Sequence, residues 1–138
     1  MKTSLIILTL VGALSCGVAR DAAKSTDQPN LQGVWLAQSE SQNGLKRNVS
    51  YRYVFKGDKL TFRDETGKEM KYSFKLDTTS NLKLIIIQPD ETLSTPVSIA
   101  YELIGDSLKI VVPPAGLRPT AISDENNQEL IICKRKGS

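Results

Sequence analysis

Met70, Tyr72, Phe74 and Leu76 occupy alternate positions, with Lys71, Ser73, Lys75 and Asp77 between them. The same period of two runs through Val49, Tyr51, Tyr53 and Phe55, set against Asn48, Ser50, Arg52 and, less cleanly, Val54. Successive side chains of a strand point to opposite faces, so this spacing calls for strands with one buried and one wet face. The segments follow one another through short, turn-rich joints, which predicts an antiparallel meander.

The first strand is predicted over Leu31 to Gln38, with Gly33, Trp35 and Ala37 on one face. Asn43-Gly44 is a hairpin signal, because both residues tolerate positive φ. Strands follow over Asn48 to Lys56, Lys59 to Arg63 and Lys68 to Leu76, turned by Gly57-Asp58 and by Asp64 to Gly67. The fifth, Asn81 to Gln88, carries the continuous apolar run Leu84 to Ile87, which asks for cover on both faces. Val97 to Ile104 and Ser107 to Val112 meet at Gly105-Asp106. Pro113-Pro114 ends the seventh strand, since proline cannot donate to a ladder. Glu129 to Arg135 is the eighth. No window of a dozen residues beyond the N-terminal segment holds a sustained helical period. The expectation is an all-β fold over residues 31–136: an antiparallel up-and-down eight-stranded barrel or strongly curled sheet. Closure removes the exposed edges that such apolar strands would otherwise present.

The 138 residues allow one domain, and 40% hydrophobic with 24% charged residues excludes a disordered chain. The net charge is +3, and the only basic run is Lys134-Arg135-Lys136. A nucleic-acid binder concentrates basic residues on one face, so no nucleic-acid partner is expected. Residues 1–20 read as a signal peptide: Lys2, then an apolar stretch from Leu5 to Leu14 too short to span a bilayer, then small residues. Ala13-Leu14-Ser15-Cys16 resembles a lipobox in which Cys16 is lipidated; the other reading is cleavage after Ala19. The lipobox is preferred because the cysteine falls at the end of the apolar stretch. Either way the protein is expected to be exported to the periplasm or cell envelope. It would meet the membrane only through a lipid on Cys16, or be secreted. Residues 21–30 read as a polar linker. With Cys16 lipidated or removed, Cys133 stands alone and reads as a small buried hydrophobe in the last strand.

The chain contains no histidine, which removes the commonest general base and metal ligand. Gly57, Gly67 and Gly105 are isolated turn glycines, not a phosphate loop. Asp64, Glu65, Asp90, Glu91, Asp124 and Glu125 fall on turns or loops, and no two are placed to face each other across a cleft. A calcium site over Asp124 to Asn127 matches no known loop spacing. No catalytic residue, metal or cofactor is therefore predicted, and the protein is read as non-enzymatic.

The predicted interior holds Trp35, Val49, Tyr51, Tyr53, Phe55, Leu60, Phe62, Met70, Tyr72, Phe74, Leu76, Ile99, Tyr101, Leu103, Leu108 and Ile110. Side chains this large can fill a small barrel. The alternative is an apolar pocket in which Tyr51, Tyr53, Tyr72 and Tyr101 orient a ligand. Arg118, on a loop stiffened by prolines, is the polar candidate, since a guanidinium suits carboxylate or phosphate. The partners considered are a small hydrophobic ligand or, for a filled barrel, an envelope protein.

Gly33-x-Trp35 on the first strand of an eight-strand meander resembles the lipocalin signature. That resemblance implies a tryptophan packed across the closed end of a barrel against a basic residue of the last strand, here Lys134 or Arg135. The chain more closely resembles a family of exported lipocalin-like domains abundant in planctomycete bacteria. The likeness rests on Leu31-Gln32-Gly33-x-Trp35, on Gly57-Asp58, and on Tyr101-Glu102-Leu103-x-Gly105-Asp106-x-Leu108-Lys109. Pro113-Pro114, Arg118-Pro119-Thr120 and Leu130-x-x-x-Lys134-Arg135 complete it. It covers Leu31 to Lys136 and implies fold and export, not an activity. True lipocalins are longer and often carry a C-terminal helix, of which this sequence gives no sign.

Overall fold

The computed structural model describes residues 26–89 and 95–137. The expected signal peptide, the cleavage sites and Cys16 lie outside the described residues, as do Asp90 and Glu91.

Nine strands form one antiparallel sheet: β1 (Gly33–Gln42), β2 (Leu45–Asn48), β3 (Arg52–Lys56), β4 (Lys59–Arg63), β5 (Glu69–Asp77), β6 (Leu84–Pro89), β7 (Val97–Ile104), β8 (Ser107–Val112) and β9 (Glu129–Arg135). β1 also pairs with β9, which closes the eight strands other than β2 into a barrel. Apart from β2 and β3, which both pair with β1, strands consecutive in sequence are neighbours in the sheet.

Of the predicted second strand, Asn48 to Lys56, only β3 from Arg52 onward forms a barrel strand, and β2 falls mostly in the stretch read as the Asn43-Gly44 turn. β2 continues the Asn43-Gly44 hairpin beside the upper half of β1, and β3 takes its lower half. Between them Val49 donates its N–H to Gln38 O at 3.1 Å, and Ala37 donates its N–H to Tyr51 O at 2.8 Å. The alternation of side chains runs through the break, so the sequence pattern does not reveal it. A second irregularity lies on β1 opposite β9: Ala37 pairs with Cys133 and Ser39 with Ile132, leaving Gln38 as the extra residue of a bulge.

The inward faces build the main core. Trp35, Leu108 and Ile110 have no exposed surface, and Phe55 stands edge-on to Phe74 with ring centroids 5.2 Å apart. Ile85, Ile131 and Cys133 join the predicted interior residues there. Met70 and Tyr72 are only half-buried, because they sit at the end of the barrel that remains open. A second, smaller cluster lies outside the barrel wall, where Leu84, Ala100 and Val111 pack with Leu82, Ile122 and Leu130. It covers Leu84 at the start of the apolar run of β6, whereas Ile86, also on the outer face, is only half-buried. Gln128, 1% exposed, ties down the segment between β8 and β9. Its Oε1 accepts the Thr120 N–H at 2.8 Å, and its Nε2 donates to Ser123 O at 3.3 Å.

The other barrel end is plugged. Residues 26–31 form a short helix, α1, where the sequence reading placed a polar linker through Asn30. Leu31 is fully buried beneath the strands. Asp27 Oδ2 accepts the Tyr101 hydroxyl at 2.7 Å and the Lys83 ammonium at 3.0 Å. Gln32 bridges the β3–β4 turn, accepting the Gly57 N–H at 2.6 Å and donating to Gly57 O at 3.1 Å. Tertiary burial of one leucine and one aspartate holds a helix too short to stand alone.

Candidate functional site

The two barrel ends differ in chemistry. At the plugged end Arg135 lies over the Trp35 ring, its guanidinium carbon 4.3 Å from the centroid. Cys133 faces inward, so alternation turns Arg135 inward and exposes Lys134; of the two basic candidates, Arg135 is the one against the tryptophan. Its guanidinium donates to Asn30 O at 2.7 Å and Gln32 O at 2.9 Å, where the last carbonyls of α1 need donors, and to Asp106 Oδ1 at 3.0 Å. Trp35 Nε1–H donates to Leu31 O at 2.9 Å. Gly33 turns the chain from α1 into β1 at φ +118°, a conformation that L side chains rarely adopt. Gly33, Trp35 and Arg135 thus form one structural unit.

The opposite end opens into an apolar pocket of about 240 Å³. Tyr53, Leu60, Phe62 and Tyr72 form one side, and Ile87, Ile99 and Val112 the other, with Pro89 and Val97 also lining it. Tyr53 and Phe62 join Tyr51 in a three-ring cluster with centroids 5.2–5.9 Å apart. The Tyr72 hydroxyl contacts Met70 Sδ at 3.6 Å.

A polar recess of about 320 Å³ stands nearby, lined by Glu40, Arg47 and Glu129 among others. Glu40 owes its position to the bulge. Without Gln38 as an extra residue, alternation from Trp35 and Ala37 would turn Glu40 outward. Instead it pairs with inward-facing Ile131 and is 9% exposed. Arg47 pairs with Glu40, its Nε donating to Oε1 at 2.6 Å, and the Tyr51 hydroxyl donates to Oε2 at 2.6 Å. The carboxylate holds the Arg47 guanidinium above its usual pKa. Burial, then neighbouring groups including the hydrogen-bonded Glu40, pushes the Tyr51 phenol well above the usual range. Burial does the same to Tyr53. These tyrosines stay neutral donors and acceptors. Glu129 pairs directly with Val112 of the pocket wall and shares its inward face.

The predicted ligand-binding residues separate. Tyr53 and Tyr72 line the open pocket, and Tyr51 adjoins it through the ring cluster. Tyr101 is at the plugged end, bonded to Asp27, with burial the largest cause of its raised pKa. Arg118 is exposed outside the barrel wall, on a separate cleft of about 520 Å³ beside Pro113, Pro114 and Leu117. Asp124 does not present a free carboxylate: its Oδ2 accepts the Gly44 N–H at 2.9 Å and docks the loop on the first hairpin. Among the described residues, no three acidic or sulfur side chains converge as a metal site.

Glu40 and Glu129 are the site residues that sequence reasoning missed. Glu129 was recoverable by counting back in twos from Cys133. Glu40 was not, because a bulge leaves no mark in a period-two pattern. Compared with known proteins, the chain matches no family model, no curated protein and no solved structure.

Proposed function

We propose that this protein is an exported, non-enzymatic lipocalin-like barrel that binds a small apolar molecule at its open end. The observation that carries this reading is the pocket between Tyr53, Phe62, Tyr72 and Ile99, set above a barrel otherwise filled by Trp35, Phe55, Phe74 and Leu108. Its volume of about 240 Å³ lies below the roughly 300 Å³ at which drug-sized sites begin. It suits a single ring or a short branched chain rather than a whole fatty acid. Arg135 over Trp35 at the plugged end supports the lipocalin-like comparison. The absence of histidine from the sequence supports a binding role over catalysis. Export rests on the charged, apolar and small segments of residues 1–20, and attachment to the membrane on Cys16.

Indole is a suitable probe. Its titration should give saturable NMR shifts at Tyr53, Phe62 and Ile99, abolished by Val112→Phe. A spectrum unmoved by indole would favour the second reading, a filled-barrel envelope lipoprotein that works through its outer surface. That alternative draws on the tightly filled lower barrel and on exposed Leu117 and Val97 beside the outer cleft.

A further inference from the structure

The open end carries a charge imbalance that bears on what the pocket accepts. At that end of the eight barrel strands, the described inward positions hold two carboxylates, Glu40 and Glu129, and no lysine or arginine. Arg47 on β2 has a largely exposed side chain, and both its Nε and Nη2 are committed to Glu40. Glu40 is thereby neutralised. The Glu129 carboxylate makes no hydrogen bond or ion pair among the described residues, which leaves one uncompensated negative charge. It stands on the same face as Val112, a wall residue of the apolar pocket. The ring cluster of Tyr51, Tyr53 and Phe62 borders the pocket and supplies aromatic surface for a ligand's apolar part.

We propose that the pocket takes a small organic cation, with its ring or alkyl group among Tyr53, Phe62 and Ile99 and its ammonium beside Glu129. The proposal rests on the apolar-pocket reading above and adds the charge of the ligand. An apolar wall next to one unpaired carboxylate recognises an amphipathic monocation. Two carboxylates, one already saturated by Arg47 and Tyr51, offer too few oxygens for a calcium ion. A ligand carboxylate would face Glu129 and find two of the three Arg47 guanidinium nitrogens already bonded to Glu40.

Three probes of nearly equal size separate the terms: 2-phenylethylamine (protonated at neutral pH), 2-phenylethanol and phenylacetate, each titrated into the purified protein by calorimetry or NMR. The amine should bind about tenfold more tightly than the alcohol, as one Coulombic contact near a surface allows, and phenylacetate most weakly. Glu129→Gln should bring the amine's affinity down to that of the alcohol and leave the alcohol unchanged. Glu129→Lys should invert the order of amine and phenylacetate. Equal affinities for amine and alcohol, unmoved by Glu129→Gln, would overturn the cation proposal and leave the apolar pocket standing. Tightest binding of phenylacetate would overturn it in favour of Arg47 as an anion receptor. Failure of all three probes to bind would overturn both the proposal and the pocket reading.

Discussion

Trp35 is fully buried, hydrogen-bonded through its indole and covered by a guanidinium. Trp35→Ala should therefore lower stability by about 3–5 kcal/mol, as large aromatic truncations do in cores. A urea midpoint equal to the parent's would refute the packing described here. Cys133 allows a second test. Burial pushes its thiol up to about 12. A thiol whose folded pKa is raised contributes stability that is intact below its unfolded pKa, near about 8.5, and is lost as pH rises toward the folded value. The stability gap between the parent and Cys133→Ala should narrow progressively between pH about 9 and about 12. A gap constant over that window would show that the thiol does not titrate differently in the two states. Above pH about 10, the raised phenols of Tyr53 and Tyr101 should steepen the loss in both proteins.

β5 tests the orientation of a whole strand. Phe74 is 5% exposed in the filled part of the barrel, Tyr72 lines the open pocket, and Lys71 is on the wet face. Phe74→Lys strands a charge among Phe55 and Leu76, one of the costliest single changes, and should abolish soluble expression. Tyr72→Lys should fold, because a lysine at the mouth can extend its ammonium to water while its stem covers apolar wall. Lys71→Glu should remain within about 0.5 kcal/mol of the parent. Soluble yield and urea midpoints rank the three. If Lys71→Glu were the damaging change, the strand would be slipped by one residue and every face inverted.

The closed barrel distributes its stability unevenly. β1 is paired on both sides, by β9 along most of its length and by β2 and β3 on its other edge. β2 is paired on one side only, and all four of its residues are exposed. Opening β2 leaves the barrel closed, whereas opening the β1–β9 seam exposes the core around Trp35, Ile131 and Cys133. Amide hydrogen exchange should be fast in β2 and slowest along the β1–β9 seam, near the limit set by global unfolding. Exchange at Cys133 as fast as that at Lys46 would mean that the seam opens independently and that the barrel is not one cooperative unit.

The eight barrel strands and their inward faces were legible in the sequence, because a strand's side-chain direction has a period of two that local hydrophobicity records directly. Tyr53 and Tyr72 could therefore be placed inside, and Glu129 could have been. Three features belong to the tertiary structure alone. The bulge at Gln38 depends on hydrogen bonds from residues distant in sequence, and it alone brings Glu40 inward. The α1 plug has no helical pattern of its own; Leu31, Asp27 and Gln32 hold it through Tyr101, Lys83 and Gly57. The separation of the four tyrosines, three toward the open end and Tyr101 at the plugged end, follows from strand register. Alternation says which face a residue is on. Only the pairing of neighbouring strands says how far along the barrel axis it stands, and so whether it meets the pocket or the plug.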